Sequence, residues 1–350
     1  MKVHLLLHTA GTYGGTERVG FGLAGWLAER GADVSLWAHR GDQVPDGVHL
    51  RRYPGLVPRG RPWKLMVTRS LLRRVPDDGV RMALVRAAGA DVWRAGGGCH
   101  AAWLRASGRT GPLERWETAV DREAARTAGQ VVANSALGAH GLASYYGVNA
   151  ASINVVRNGV DLDRFRPRAP RSPPFPHPWV AFLGGDFARK NLSGALRAMV
   201  ALPGLGLVVL GGDPRAARWK SEAAALGLAD RVLFRGPVVD PEQHLAGARA
   251  LLLPTRYDAS ANATLEAMAC GVPVVTTARD GASELAPEPW LVVDDPDDHE
   301  ALAMTVLRIL DTPALGPCVR AVAEQWPASR GFAAMEALLV DAHARRGGRP

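Results

Sequence analysis

The 350 residues, 47% of them hydrophobic, suffice for two ordinary domains or one large one, each with a substantial core, which excludes a disordered chain. Basic residues exceed acidic ones by 42 to 34, and the surplus sits in the first half: residues 1–175 carry 25 basic and 14 acidic side chains, the remainder 17 and 20. Cys99, Cys270 and Cys318 are odd in number and far apart with no Cys-x-x-Cys, which argues against a disulfide framework or a structural zinc.

No run of eighteen apolar residues marks a membrane helix, and the opening MKVHLLLHTAGTYGG enters a glycine loop rather than a cleavage region, so a cytoplasmic location is expected. Val3 to His8 reads as a short strand, Gly11 to Gly15 as a turn, and the run from Glu17 through Val19, Leu23, Trp26 and Leu27 as a helix closed by Gly31. Asp33 to Ala38 supplies the next strand, so the chain starts with an α/β unit whose helix returns it for parallel pairing.

Arg51, Arg52, Arg59, Arg61, Lys64, Arg69, Arg73 and Arg74 follow with no acidic residue between 51 and 74, a field that attracts phosphate-bearing partners. Within it, RGRPWKLMVTRSLLRR (59–74) interleaves Trp63, Met66, Val67, Leu71 and Leu72 with cations. The segment suits either peripheral contact with the inner face of an anionic membrane or a charged helix packed on the first sheet.

Further strands are expected at Asp91 to Ala95, Val131 to Asn134 and Ile153 to Val156, with alanine-rich, charged helical segments between several of them. Residues 167–178, PRAPRSPPFPHP, then break the pattern with fixed torsions and missing donors and read as a linker. The α/β rhythm restarts with strands at Trp179 to Leu183, Gly206 to Leu210, Val232 to Phe234, Ala250 to Leu253, Val272 to Thr276 and Trp290 to Val293, and a helix from Leu192 to Ala201. The expected organisation is a first domain over 1–166, the linker, a second domain over 179–330 and a C-terminal helix over 331–350 that caps the second domain or packs on the first. Two such sheets imply a ligand cleft at the carboxyl ends of their strands.

The most informative passage is LLLPTRYDASANATLEAMACGVPVVTT (251–277): a strand, a polar turn, a helix from about Asn262 to Gly271 and another strand. Asp258 lies on the turn and Glu266 one turn into the helix, which sets two carboxylates on one binding edge. Ser260, Asn262 and the entering amides can donate to an oxygen-rich ligand. A structural account also exists, with Asp258 as an Asx turn, Asn262 as a cap and Glu266 solvated.

YDASANATLEAMACGVPVVTT resembles the signature of the GT4 glycosyltransferases, of GT-B fold, in which an acidic residue, seven intervening residues and a glutamate bind the donor. The first acid there is usually glutamate; here it is Asp258, similar to a subgroup with Asp followed by a Ser-Asn-like loop. The resemblance implies an α/β chain with two Rossmann-like domains whose open parallel sheets face an interdomain cleft. It also implies that Asp258 approaches donor sugar hydroxyls, that the amides around Ala259, Ser260 and Ala261 contact sugar or phosphate, and that Glu266 holds the ribose hydroxyls.

VAFLGGDFARKNLSGAL (180–196) sets Arg189 and Lys190 after a glycine turn and before a helix, where cations and helix amides can converge on a pyrophosphate. On this basic chain the pair also reads as solvated surface. GDFARKN is similar to the GFxRKG-like sequences of lipopolysaccharide-core glucosyltransferases, apart from Asn191. TAGTYGGTERVG (9–20) has neither dinucleotide-fingerprint spacing nor a Walker lysine, but resembles the first GT4 loop, so Gly14 and Gly15 are expected to let backbone amides approach the donor phosphate. In GGGCHAAWL (96–104), His100 is either a contact near the reacting carbon, as in many relatives, or a helix-start or core histidine. NGVDLDRF (158–165) resembles the family's exit from the first domain and is read as a turn.

By this resemblance the chain is a retaining hexosyltransferase that needs no cofactor, takes a nucleotide-sugar donor, a UDP-sugar before a GDP-sugar, and delivers to a glycan, lipid-linked or small-molecule acceptor. The expected catalytic residues are Arg189, Lys190, Asp258 and His100. No DxD-type arrangement or compact His/Asp/Glu cluster joins this constellation, so a metal-independent transfer is expected; DDPDD (294–298) reads as a solvated turn or, alternatively, a cation-binding surface. Within the same fold, a glycogen- or sucrose-related transferase differs in acceptor, and a phosphorylase is disfavoured by the lack of a pyridoxal-lysine context. The alternative from another class is a noncatalytic nucleotide-sugar or nucleic-acid binding protein; no zinc-finger spacing or aromatic RNA-binding signature supports nucleic acid.

Overall fold

The computed structural model describes residues 1–12, 14–53, 62, 65, 66, 68, 70–170 and 173–347. Part of the basic segment 59–74, including Arg59, Arg61, Trp63, Lys64, Val67 and Arg69, lies outside the described residues, and its end, Leu71–Arg74, forms one 3₁₀ turn with Leu71 and Leu72 buried. The chain divides into two compact units, residues 1–158 with 329–350, and residues 159–328.

In the first unit, β1 (Lys2–Leu6), β2 (Asp33–Ala38), β3 (Val48–Arg52), β4 (Val80–Ala83), β5 (Val92–Ala95), β6 (Gln130–Ala133) and β7 (Ile153–Val155) form one sheet in the order β3-β2-β1-β4-β5-β6-β7. Every pairing in it is parallel. The period of two explains its burial: Val3 and Leu5 enter one core and Leu6 the other, so both faces need cover. Helix α1 (Gly15–Glu29) covers the first face through Leu23, Ala24 and Leu27. Helices α2 (His100–Ser107), α3 (Pro112–Thr127) and α4 (Ala136–Tyr146) follow in sequence; Ala124 and Ala125 of α3 and Leu142 and Tyr146 of α4 lie in the second core.

The second unit repeats the plan. Strands β8 (Trp179–Leu183), β9 (Gly206–Leu210), β10 (Val232–Gly236), β11 (Leu251–Leu252), β12 (Val274–Thr277) and β13 (Val292–Val293) order as β10-β9-β8-β11-β12-β13, all parallel. Its helices are α5 (Leu192–Val200), α6 (Ala216–Ala225), α7 (Pro241–Leu245), α8 (Asn262–Ala269), α9 (His299–Leu310) and α10 (Leu315–Glu324). Each sheet reverses its winding beside its first strand, between β1 and β4 and between β8 and β11. Loops that leave the carboxyl ends of two strands at such a switch point diverge and open a crevice.

The division at Asn158 and Gly159 precedes the proline-rich segment, whose described residues belong to the second unit. Phe175 packs on the second core, and a Cβ at Gly206 would lie 2.4 Å from its ring. Pro170 similarly lies over Gly247. The missing amide donors that suit prolines to a linker do not prevent their rings from covering an apolar surface. The last helix, α11 (Ala328–Gly347), carries Met335, Leu339 and Ala342 into the first unit's core. It is held there by Trp26 Nε1 donating to Glu336 (2.8 Å) and by Arg346 on the Asp91 carboxylate (2.9 Å). Among the described residues no single helix is long and apolar enough to cross a membrane.

Gly184 and Gly211 end β8 and β9 in close contact. A Cβ at Gly211, whose φ is +120°, would lie 2.0 Å from the Gly184 carbonyl oxygen. Gly211→Ala should therefore cost about 2 kcal/mol or more and lower the thermal unfolding midpoint. An unchanged midpoint would contradict the close approach.

Candidate active site

In the second unit the crevice is bounded by the loops after β8 and β11. Asp213 fixes the first, accepting from the amides of Phe187 (2.9 Å) and Arg215 (2.8 Å). Asn191 turns the chain into α5 with φ +58°, accepts from the Gly194 amide at 3.1 Å and donates to the Pro296 carbonyl at 2.7 Å. Asparagine tolerates this left-handed conformation, which accounts for its place where the related loops carry glycine. The Arg189 carbonyl accepts from Thr255 Oγ1 (3.1 Å) and the Arg256 amide (2.9 Å), tying the two loops together.

Arg189, Lys190 and Asp258 meet there. Asp258 Oδ2 accepts from Arg189 Nη1 and from Lys190 Nζ, each at 2.6 Å, while Oδ1 accepts from the Ser260 amide at 3.2 Å. Asp258 and Lys190 are buried, and about a third of the Arg189 side chain is exposed. Burial alone would raise the Asp258 carboxyl, but the charges of Lys190 and Arg189 outweigh it and hold the group well below the usual carboxylate range. For Arg189 burial works against the charge, and Asp258 more than restores it.

Helix α8 is buried from Ala263 to Ala269, Glu266 included, and Asn262 is its first residue. Its entry depends on Asp280, a residue sequence reasoning missed because RDG after β12 reads as an ordinary turn. Asp280 is fully buried and accepts from the amides of Ala261 (3.0 Å) and Ala282 (2.9 Å) and from the hydroxyls of Thr264 (3.0 Å) and Thr276 (3.1 Å). Burial and then the nearby Asp258 charge raise its pKa. Of the amides expected to face a ligand, those of Ser260 and Ala261 thus donate to Asp258 and Asp280; Ala259, which precedes them, is buried.

The DDPDD turn has structural work. Asp297 takes a bidentate pair from Arg256, both at 2.6 Å, and Asp298 caps α9 by accepting from the Ala301 amide at 2.9 Å.

Gly14, Gly15 and His100 belong to the first unit. Gly14 precedes α1 with φ +107°, and a Cβ there would overlap the Glu17 carboxylate, so the position requires glycine. Gly15 is the first residue of that helix. A cavity of about 420 Å³ opens at this unit's switch point, lined among others by His8, Thr16, Glu17, Arg86, Arg94 and the 96–98 glycine turn. His100 is buried at the start of α2 and is not among the lining residues. Its amide donates to Asp121 Oδ2 at 2.9 Å, and its Nδ1 lies 3.8 Å from Glu117. Arg86 joins the same two acids, reaching Asp121 and Glu117 at 2.8 Å each, and Tyr146 donates to Asp121 at 2.6 Å. The sequence signal for this cavity was an arginine, Arg94, at the carboxyl end of an otherwise apolar strand.

Two family models match the chain: "Glycosyltransferase Family 4" over residues 13–164 and "Glycosyl transferases group 1" over 177–312. A D-inositol 3-phosphate glycosyltransferase of Mycobacterium avium is 31% identical over 227 residues, which cover 59% of this chain and 52% of that protein. The chain thus spans about half the length of the curated relatives it matches. Among solved structures it is similar to WaaG, a glycosyltransferase involved in lipopolysaccharide biosynthesis, with a TM-score of 0.78 and 20% identity over 96% of this chain and 99% of that one. It is also similar to Anabaena Alr3699/HepE in complex with UDP and glucose, with a TM-score of 0.74 and 16% identity over 97% and 99%.

Proposed function

Because the chain belongs to glycosyltransferase family 4 and has the GT-B fold, we propose that it transfers a hexose from a nucleotide-activated sugar to an acceptor hydroxyl with retention of anomeric configuration. The observation that carries the donor assignment is the cation pair of Arg189 and Lys190 on one buried carboxylate oxygen of Asp258. Two positive charges against one leave a net attraction for a diphosphate, and the shared oxygen orders both cations before any ligand arrives. The UDP held by the Anabaena neighbour supports a nucleotide donor, with UDP tried first and GDP second.

In the proposed reaction the bond from the anomeric carbon to the diphosphate breaks and its electron pair leaves with the diphosphate oxygen. Arg189 and Lys190 stabilise the charge that grows there. The acceptor hydroxyl attacks from the same face, and its proton passes to the departing phosphate oxygen, so no residue serves as a covalent nucleophile and Asp258 and Glu266 are not a hydrolase pair. Asp258 positions the cations and approaches the sugar hydroxyls, Glu266 accepts from the ribose hydroxyls, and Gly14, Gly15 and His100 serve from the first unit. The transfer as proposed needs no metal or other cofactor. It takes place in the cytoplasm, with the segment 59–74 available to an anionic membrane that carries a lipid-linked acceptor.

Incubation of the purified protein with UDP-, GDP- and ADP-sugars and candidate acceptors, reading nucleotide release and product linkage, tests the reading. Folded protein that binds none of these donors would sink it. Loss of two ribose hydrogen bonds at about 0.5–1.5 kcal/mol each predicts that Glu266→Ala weakens UDP binding roughly tenfold. Unchanged affinity in calorimetry, with the fold verified by circular dichroism, would remove Glu266 from the donor site.

A further inference from the structure

Lys190 carries its ammonium on a flexible four-carbon stem, so it reaches Asp258 only as steadily as its own backbone is held. One residue grips both of its neighbours. The Arg256 amide donates to the Arg189 carbonyl at 2.9 Å, and Arg256 Nη2 donates to Asn191 Oδ1 at 3.0 Å. The Lys190 stem runs along Gly184, where an added Cβ would come 3.2 Å from Lys190 Cε. Arg256 is in turn fixed from the 294–298 turn: Nη1 and Nη2 each reach a separate oxygen of Asp297 at 2.6 Å. The same turn supplies the Pro296 carbonyl that accepts from Asn191 Nδ2 at 2.7 Å, and Asp298 ties it to the start of α9.

The Arg256 and Asp297 side chains remain 31% and 49% exposed, and an ion pair so open to water adds little stability. Its two parallel bonds fix direction instead. Arg256 does not bring a third cation to a diphosphate either, because its fork faces a carboxylate. From this geometry we propose that Arg256 and Asn191 are positioning residues that hold Lys190 in place for the departing diphosphate, and so govern the rate of transfer more than the affinity for the donor. A misplacement of about 1 Å in a stabilising group is enough for a large loss of rate. Asn191 makes the arrangement possible where glycine would not: glycine adopts the φ of +58° but lacks the oxygen that Arg256 Nη2 needs. The effect on rate rests on the proposed transferase function; the ordering of Lys190 does not.

Ordering is read by NMR of the full chain with isotope-labelled lysine. The chain's lysines are Lys2, Lys64, Lys190 and Lys220, so the Lys190 Cε signal is assigned by its disappearance in Lys190→Ala. That signal should stand apart from those of solvated lysines in wild type, and Arg256→Met should move it towards them. UDP affinity by calorimetry should change by less than about threefold. In initial rates with a UDP-sugar, Arg256→Met should lower kcat about 10–10²-fold at little-changed KM, and Arg256→Lys, which can reach Asp297 or Asn191 but not both, should recover part of the loss. The backbone bond to Arg189 survives in each variant. Asn191→Gly keeps the backbone conformation, should shift the signal and kcat in the same direction, and serves if Arg256→Met does not fold. Orientation is separated from general loosening by the double variant: in a Lys190→Ala background, Arg256→Met should change kcat by less than about twofold. Equal losses in both backgrounds, or a Lys190 signal unmoved by Arg256→Met and by Asn191→Gly, overturn the proposal. If wild type turns over no donor, the transferase reading fails, and the Lys190 signal alone decides whether Arg256 and Asn191 hold Lys190.

Discussion

Replacing Lys190 with alanine should lower turnover by about 10²–10³-fold while changing the affinity for UDP much less. Lys190 Nζ shares Asp258 Oδ2 with Arg189, so its removal still leaves the carboxylate paired and the loop after β8 anchored by Asp213. Folding is therefore preserved, and the loss falls on charge stabilisation. That charge is larger on a departing diphosphate than on the intact donor, so the missing cation raises the barrier more than it weakens ground-state binding. Initial rates against donor concentration separate the two effects. Equal losses in affinity and kcat/KM with kcat intact would reduce Lys190 to a binding residue, and unchanged kinetics would remove it from the site.

The periodic parts of the fold were legible because strands buried on both faces are written as unbroken apolar runs. WVAFL and GLVVL are read to the residue as β8 and β9. β3 and β4 were not read: VHLRR carries a histidine and two arginines with only β2 as a neighbour, and Arg81 interrupts the apolar run of β4. Proline content is silent for a related reason, since it reports missing donors and fixed torsions but not the packing of Phe175 and Pro170 on the second unit.

The same distinction applies to the sites. Residues 186–191 and 258–266 are contiguous in sequence and carry recognisable wording, so Arg189, Lys190, Asp258 and Glu266 stand out there as candidates, and the structure brings Arg189, Lys190 and Asp258 together. Asp280 and Arg94 act through neighbours that only folding supplies. Asp280 serves donors from three segments, at Ala261 and Thr264, at Thr276 and at Ala282. What distinguishes Arg94 is that no described residue forms an ion pair with it, which sequence cannot express.

The loss expected for Asp280→Ala is about 3–5 kcal/mol of stability. The substitution strands the amides of Ala261 and Ala282 and the Thr264 hydroxyl in a site closed to water, each costing about 1–3 kcal/mol. Thr276 Oγ1 retains the Leu253 carbonyl at 3.2 Å, and release of a desolvated charge near Asp258 offsets part of the deficit. Asp280→Asn should cost only about 1–2 kcal/mol, because one oxygen still accepts from the two amides while the threonines turn to accept from the new amide. The variants also separate in pH. A carboxyl whose pKa is raised on folding keeps its proton where the unfolded chain has lost it, so its ionisation subtracts stability as pH climbs from the unfolded pKa near 4 through the raised folded value. The asparagine variant lacks this titration, and its deficit relative to wild type should shrink over that interval. Asp258, whose pKa is lowered, contributes with the opposite sign in both proteins and is lost only as pH falls below about 4. Urea unfolding of the three proteins at several pH values measures both effects. If Asp280→Ala is no less stable than Asp280→Asn, then the four donors are satisfied by other groups and the carboxylate does not hold the entry to α8.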